Sequence, residues 1–408
     1  MSNYFDQFDW KTMMSLNAWS DDPAAFYDIK KYHKILSPDY PDFLDKYIAL
    51  PILSRLKGVG LLCGTDWTKL YKNRFYYSRL DHSVGVALII WHFTHDKAQT
   101  LAGLFHDAST PVFSHVSDFR KGDALTQTAT ESDNERLLKN DSALCSLLVE
   151  DGLTVEQICD YHIYPVADNE IPQLSADRLE YMFPSGMALD GTWDLQSIER
   201  AYNDITVLKN EDGQDELGFK TLEIAEDYCR RFCMIGHILQ LNENKLTLHM
   251  LGQIMNMAVE QGILHEEDFM NKSEWEIMDV LEHMSALRQA QGPQKLQGPR
   301  ESQGPRGVAE PVEAPHQNQL TRLYTTFRTM TSIEHTAHAL PPEEYFCVSL
   351  NVKQRYIDPL VKDCRVKLDN DTSKVGRLSQ ISPFAKKIIK DFKAFQDTPY
   401  GCVKLIRH

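Results

Sequence analysis

The chain lacks any long apolar run. Nowhere in its 408 residues do about 18 uncharged apolar residues follow one another, which excludes a membrane-spanning helix. The start, Met1-Ser2-Asn3-Tyr4-Phe5-Asp6, has no basic segment leading into an apolar core, so no secretory signal is expected. Cysteine is scarce: there are eight, without paired spacings, which argues against a disulfide-built scaffold. Cys229 and Cys233 lie four apart on an expected helix with no second close pair, which argues against a zinc knuckle. Together these absences predict a cytoplasmic, enzyme-sized protein with no membrane association. Positive charge is also in deficit, with 43 Lys and Arg against 58 Asp and Glu and a net charge of −15, and this disfavours nucleic acid as a partner. Residues 351–408 reverse the balance, with 13 basic and 6 acidic side chains. Such a face suits intramolecular pairing or subunit contact better than a nucleic-acid groove.

What is present is ordinary globular material, 42% hydrophobic and 25% charged, long enough for two or three domain-sized units. Helical spacing of apolar residues dominates the first 285 residues, with helices expected over 83–94, 97–107 and 219–240 and near 246–262 and 273–285, and no strand-rich block. Residues 288–318 differ in kind. Gln-Gly-Pro recurs at 291, 297 and 303, and 9 of the 31 residues are Gly or Pro, a composition that predicts a disordered insertion. Beyond it, Tyr345–Val352 and Arg355–Ile357 read as strands broken at Asp358-Pro359, and Ser382-Pro383 reads as a helix start. The expected organisation is an N-terminal segment (1–44), a helical domain (45–287), the Gly/Pro-rich insertion (288–318) and a C-terminal module (319–408). In fold class this is an all-α core with a small C-terminal α+β module.

The chemistry concentrates in Arg79-Leu80-Asp81-His82, His106-Asp107 and Phe113-Ser114-His115-Val116-Ser117-Asp118. If the chain turns near His95, then His82 lies 13 residues before the turn and His106 lies 11 after it. At about 1.5 Å per helical residue both imidazoles fall at the same end of an antiparallel pair. Adjacent His106 and Asp107 project roughly 100° apart, close enough to grip one ion from two sides. Two imidazoles and a carboxylate form a mixed nitrogen and oxygen site suited to Mn, Fe, Mg or similar ions.

These motifs, in this order, resemble the HD-domain metal-dependent phosphohydrolases, and within them the deoxynucleoside triphosphate triphosphohydrolase (dGTPase-like) branch. The fourth piece of the resemblance is Ser175-Ala176-Asp177-Arg178-Leu179-Glu180-Tyr181. Pro51-Ile52-Leu53-Ser54-Arg55-Leu56 and Arg355-Tyr356-Ile357-Asp358-Pro359 add diffuse support. The resemblance implies that His82, His106, Asp107 and Asp177 hold one divalent metal ion, whether Mn, Fe, Mg, Ni or Zn. It implies that Arg79 contacts phosphate, that His115 oriented by Asp118 is the catalytic pair, and that Arg178 and Tyr181 contact the substrate. It further implies a nucleotide or phosphoester substrate, release of deoxynucleoside and tripolyphosphate, and a homo-oligomer.

The sequence departs from the pattern in four places. Ser109-Thr110-Pro111-Val112 replaces a Gly-rich phosphate loop, and Thr130-Glu131 replaces a His-Glu pair. Ser175 and Ser185 replace acids, and Leu61 stands where the family reads the base with Gln. The metal set is complete while the nucleotide-reading set is eroded. Two alternatives therefore stand beside triphosphate hydrolysis: a nucleotide-binding sensor with a metal and little catalysis, and a phosphatase acting on nucleoside monophosphates or another phosphoester.

Overall fold

A computed structural model describes residues 3–8, 28–122, 133–291, 315–362 and 375–406. The principal helices are α1 (Ile29–Leu36), α2 (Arg79–Thr94), α3 (Lys97–Phe105), α4 (Val116–Arg120), α5 (Ala176–Leu189), α6 (Leu222–Gln240), α7 (Asn242–Glu260), α8 (Glu274–Gln291), α9 (Pro315–Thr329) and α10 (Pro383–Ala394). The strands are β1 (Ile205–Lys209), β2 (Asp215–Phe219), β3 (Glu334–Thr336), β4 (Tyr345–Val348), β5 (Leu360–Lys362), β6 (Val375–Arg377) and β7 (Tyr400–Lys404).

The α2–α3 pair is built by local signals. Ser78 caps α2 through its hydroxyl, which accepts the Asp81 N–H at 3.1 Å, and Asp81 answers at the Ser78 N–H. His95 ends α2 in the left-handed region, and the Asp96 carboxylate starts α3 by accepting the Gln99 N–H at 3.0 Å. The two helices run very close, because Gly103 faces Ile90, where an added Cβ would lie 2.3 Å from the Ile90 side chain. Ten of the sixteen α2 residues are buried, so this helix is the core's axis rather than a surface element.

The chain is mostly helical, with the strands forming two small sheets. One has the order β1-β2-β5-β6, the other β3-β7-β4. The hairpin β1–β2 is a short strand pair within the otherwise helical first part of the chain, where no strand-rich block is expected. Its signals were the β-branched run Ile205-Thr206-Val207 and Asp212-Gly213, with Gly213 in the left-handed region at the turn. β2 then pairs in parallel with β5, so strands from both halves of the chain share one sheet. Arg377 fastens the joint with a bidentate pair to the fully buried Glu216, at 2.6 and 2.9 Å, and a second pair to Glu211. Arg355–Ile357 is not a strand; pairing begins at Leu360, after Pro359, which has no N–H to give a ladder. The apolar core is continuous across the halves, joining Leu88, Phe232, Ile357 and Ile388.

Cys347 and Cys402 stand opposite each other in the β4–β7 register and are joined by a disulfide, although 55 residues separate them. Only strand register could bring them together, which is why spacing gave no sign of it. Ser382 caps α10 by accepting the Ala385 N–H at 3.0 Å, with Pro383 in the first turn, as expected. Most of the Gln-Gly-Pro stretch lies outside the described residues. Its edges, 288–291 and 315–318, belong to α8 and α9. Among the described residues no helix is long and apolar enough to cross a membrane.

Candidate active site

The α2–α3 turn places His82 and His106 at one end of the pair, and the N-terminal turn of α5 delivers Asp177 to the same spot. His82 Nε2 lies 3.2 Å from His106 Nε2, 3.1 Å from Asp177 Oδ1 and 3.8 Å from Asp107 Oδ2. His106 Nε2 lies 3.5 Å from Asp107 Oδ2 and 3.6 Å from Asp177 Oδ1. The ligand atoms of His82, His106 and Asp107 all lie within 4.8 Å of one another, and Asp177 reaches both imidazoles from a third segment.

The other nitrogens of both rings are already used, which fixes the tautomers. His82 Nδ1 donates to Glu180, and His106 Nδ1 donates to the Gly103 carbonyl at 2.7 Å. Both Nε2 atoms point toward the shared cluster, the orientation that metal-binding imidazoles require. Glu180 is itself fully buried and is held by the hydroxyls of Tyr77, at 2.6 Å, and Tyr32, at 3.1 Å. Gly85 opposite has no side chain because a Cβ there would lie 2.5 Å from the Glu180 carboxylate.

Electrostatics agree with the geometry. Burial alone would lower His82, but Glu180 and Asp177 push it up to about 10. Burial alone would raise Asp107, but the Arg79 guanidinium and the two imidazoles hold it well below the usual carboxylate range. Asp177 is likewise held low, burial being outweighed by His82 and His106. The two ionised carboxylates beside two imidazoles favour positive charge at the centre of the cluster. A divalent cation supplies that charge and takes the neutral imidazoles and ionised carboxylates as ligands. The donor set thus fits one such ion.

Arg79 sits beside the cage, with NH1 2.6 Å from Asp107 Oδ2 and Nε donating to Ser114 Oγ at 2.9 Å. Thr110, from the altered loop, donates its hydroxyl to Asp107 Oδ1 at 2.9 Å, so this loop serves a cage carboxylate. Arg55 holds the loop by donating to the Ala108 and Thr110 carbonyls at 2.6 and 2.8 Å. His115 donates from Nδ1 to the buried Asp118 at 2.9 Å, which turns Nε2 to the cleft, and burial lowers the imidazole below 6.5. Tyr181 lines the same cleft with a buried hydroxyl that has no hydrogen-bond partner among the described residues.

Arg178 is the exception. Its guanidinium is committed to the Gln173 carbonyl, Asn169 and Asp168, bracing the loop before α5, and it does not line the cleft. An arginine following Asp177 projects about 100° away around the helix, which is the physical reason for the difference. Thr130 lies outside the described residues.

Sequence reasoning passed over three cleft residues. Tyr161 packs its ring on His106, with centroids 4.9 Å apart. Cys63 lies on the wall in a left-handed backbone conformation. Arg355, from the loop before β5, faces His115, Tyr181 and Cys63, and has no hydrogen-bond or ion-pair partner among the described residues. The sequence signals for Arg355 were the basic excess after residue 351 and the Arg355–Pro359 segment, neither of which places it in this cleft. The rest of the lining mixes apolar residues (Leu61, Leu62, Leu248, Val352) with polar ones, among them Tyr71, Gln240, Asn244 and Lys353.

No family model matches the chain. It is 24% identical over 217 residues to a metal-dependent phosphohydrolase, cns2, of the fungus Cordyceps militaris, covering 52% of this chain and 59% of that one. It is 28% identical over 142 residues to the uncharacterized protein YdhJ of Bacillus subtilis, covering 34% and 41%. The chain therefore matches less than two thirds of the length of either curated relative. Among solved structures, it superposes on a phosphohydrolase from Bacteroides thetaiotaomicron with a TM-score of 0.56 and 13% identity, covering 91% of this chain and 97% of that one. A hypothetical protein from Aquifex aeolicus gives a TM-score of 0.54 at 12% identity, with 90% and 93% covered. These structures share the fold, and the first of the two curated relatives is named a metal-dependent phosphohydrolase.

Proposed function

We propose that this protein is a metal-dependent phosphohydrolase acting on nucleotides. The observation that carries the proposal is the clustering of His82 Nε2, His106 Nε2 and Asp107, with Asp177 beside both imidazoles and each imidazole's second nitrogen already engaged. These four residues hold one divalent ion. Bound there, such an ion supplies Lewis acidity to a phosphoryl oxygen and makes water a better nucleophile at neutral pH. Arg79 binds a phosphate oxygen while its tie to Asp107 keeps the guanidinium in place. His115 moves a proton at Nε2, with Asp118 holding its Nδ1–H and so its orientation. Arg355 and Tyr181 take further oxygens from across the cleft. The mixed lining of apolar, amide and hydroxyl groups suits a nucleobase and sugar.

The motif resemblance favours a dNTP triphosphohydrolase that releases deoxynucleoside and tripolyphosphate. One observation favours the second reading, a nucleotide phosphomonoesterase. Among the described residues the basic groups lining the cleft are Arg79, Lys353 and Arg355, and Arg79 already faces a carboxylate. That complement suits one phosphate better than three. The deciding experiment incubates the Mn²⁺-loaded protein with dNTPs, NTPs and nucleoside monophosphates and separates products by ion exchange, beside Asp177→Ala. Tripolyphosphate absent in the variant supports the first reading; orthophosphate from monophosphates supports the second. Metal retention without any product overturns both and leaves a nucleotide sensor.

A further inference from the structure

Glu274 is the first residue of α8, is fully buried, and touches none of the cage ligands. Its Oε1 accepts the Gly60 N–H at 2.8 Å and the Phe113 N–H at 3.0 Å, and its Oε2 accepts the Trp67 indole N–H at 2.7 Å. Gly60 carries the link inward. Its carbonyl accepts the Ser114 hydroxyl at 2.9 Å, and Ser114 Oγ accepts the Arg79 Nε–H at 2.9 Å. Phe113 and Ser114 both stand at positive φ, 61° and 51°. Two consecutive non-glycine residues in that region are costly, and they persist only where the surroundings over-determine them. The next residue is His115.

We infer that Glu274 is a positioning residue for this site: one buried carboxylate ties the 60–67 loop to the 113–114 turn and so sets Arg79, through Ser114, and His115. No neutral side chain can copy it, because three N–H donors converge on two oxygens and a glutamine amide would turn donors toward at least one of them. The inference rests on the phosphohydrolase reading for its kinetic readout, while the hydrogen-bond geometry stands apart from it.

The role carries a pH signature. Burial raises Glu274 to about 7, against hydrogen bonds from Trp67, Gly60 and Phe113 that lower it, and the titratable groups facing it are Asp66, Cys63 and Tyr76. Protonation in that range occupies an oxygen that the turn requires, so turnover falls as pH drops through about 7. Stability moves the other way. The folded form holds a proton that the unfolded chain, with an ordinary value of 4.5, releases, so this group's contribution declines as pH rises from 4.5 to about 7.

The test uses the full Mn²⁺-loaded chain as wild type, Glu274→Gln and Trp67→Phe, with whichever nucleotide the wild type hydrolyses. In Glu274→Gln, kcat is expected to fall about tenfold, with KM and bound Mn²⁺ within about twofold of wild type and the acid limb near pH 7 gone. Trp67→Phe keeps the Gly60 and Phe113 bonds but removes one that lowers Glu274, so its acid limb moves to higher pH; a limb that stays in place in both variants overturns the inference. If the wild type hydrolyses nothing, the function reading has failed, and amide exchange decides the rest. Faster exchange over 58–64 and 110–117 in Glu274→Gln sustains the positioning role, and unchanged protection there overturns it.

Discussion

The cage end and the far wall of the cleft are built on opposite principles. At the cage, three of the four ligand residues have a second commitment: His82 to Glu180, His106 to the Gly103 carbonyl, Asp107 to Arg79 and Thr110. Across the cleft, Arg355 and the hydroxyls of Tyr181 and Tyr71 have no partner among the described residues. Buried polar groups are ordinarily satisfied, so groups left open beside a cleft are held for a ligand. On the proposed reading, the cage is pre-organised without substrate, whereas the wall offers the substrate its open groups. The difference teaches where each kind of substitution must register: metal retention at one end, substrate concentration dependence at the other.

The sharpest way to break the comparison is Asp177→Ala. It removes one of four ligands and leaves two bare imidazoles, so turnover is expected to fall by about 10³-fold or more together with the loss of stoichiometric metal, measured by elemental analysis. Retained metal and activity would sink the cage assignment. Glu180→Gln leaves all four ligands in place but weakens the grip on His82 Nδ1. Metal affinity, titrated against a chelator, should drop about 10–100-fold with the fold intact. On the other wall, Arg355→Ala should raise KM about tenfold at unchanged metal content, and a variant that loses metal instead would move Arg355 into the cage's support.

A pH profile sharpens the boundary between the two ends. Burial lowers His115 below 6.5, and Asp118 opposes that shift. Its acid limb therefore lies below 6.5, and Asp118→Asn moves it lower still. For stability the sign follows linkage: the contribution of a depressed imidazole is present above 6.5 and is lost as pH falls through its folded value. The smallest effect belongs to Tyr71→Phe. Losing one open hydroxyl should raise KM a few-fold and leave the thermal midpoint unchanged or slightly higher, since an unsatisfied buried group is removed.

Much of this was legible along the chain. The buried α2, its turn at His95 and the return through α3 follow from apolar spacing and from Ser78, Asp81 and Asp96 as caps, and these alone bring His82 and His106-Asp107 to one end. The motif around Asp177 was readable by resemblance. Arg178 was not readable in the same way, because adjacent helical residues point in different directions and a motif does not say which one faces the cleft. The β1–β2 hairpin was missed although its turn residues were in plain view, since helical spacing on either side dominated the reading. Glu274 carried no local signal at all, and the segment around Arg355 did not say that its guanidinium faces the cleft.

By itself, the sequence determined the α2–α3 pair and, through it, the meeting of His82 with His106. The starts, stops and faces of these helices are written in neighbouring residues, and a helix converts spacing directly into direction. Tertiary structure alone decided the rest: the β2–β5 pairing that unites both halves of the chain, the Cys347–Cys402 register, Arg355 on the wall and Glu274 beneath the 113–114 turn. These are contacts between segments from tens to hundreds of residues apart. Their cost and reward appear only when loops close and burial excludes water, and no local periodicity encodes which distant partner a strand edge or a buried carboxylate will meet.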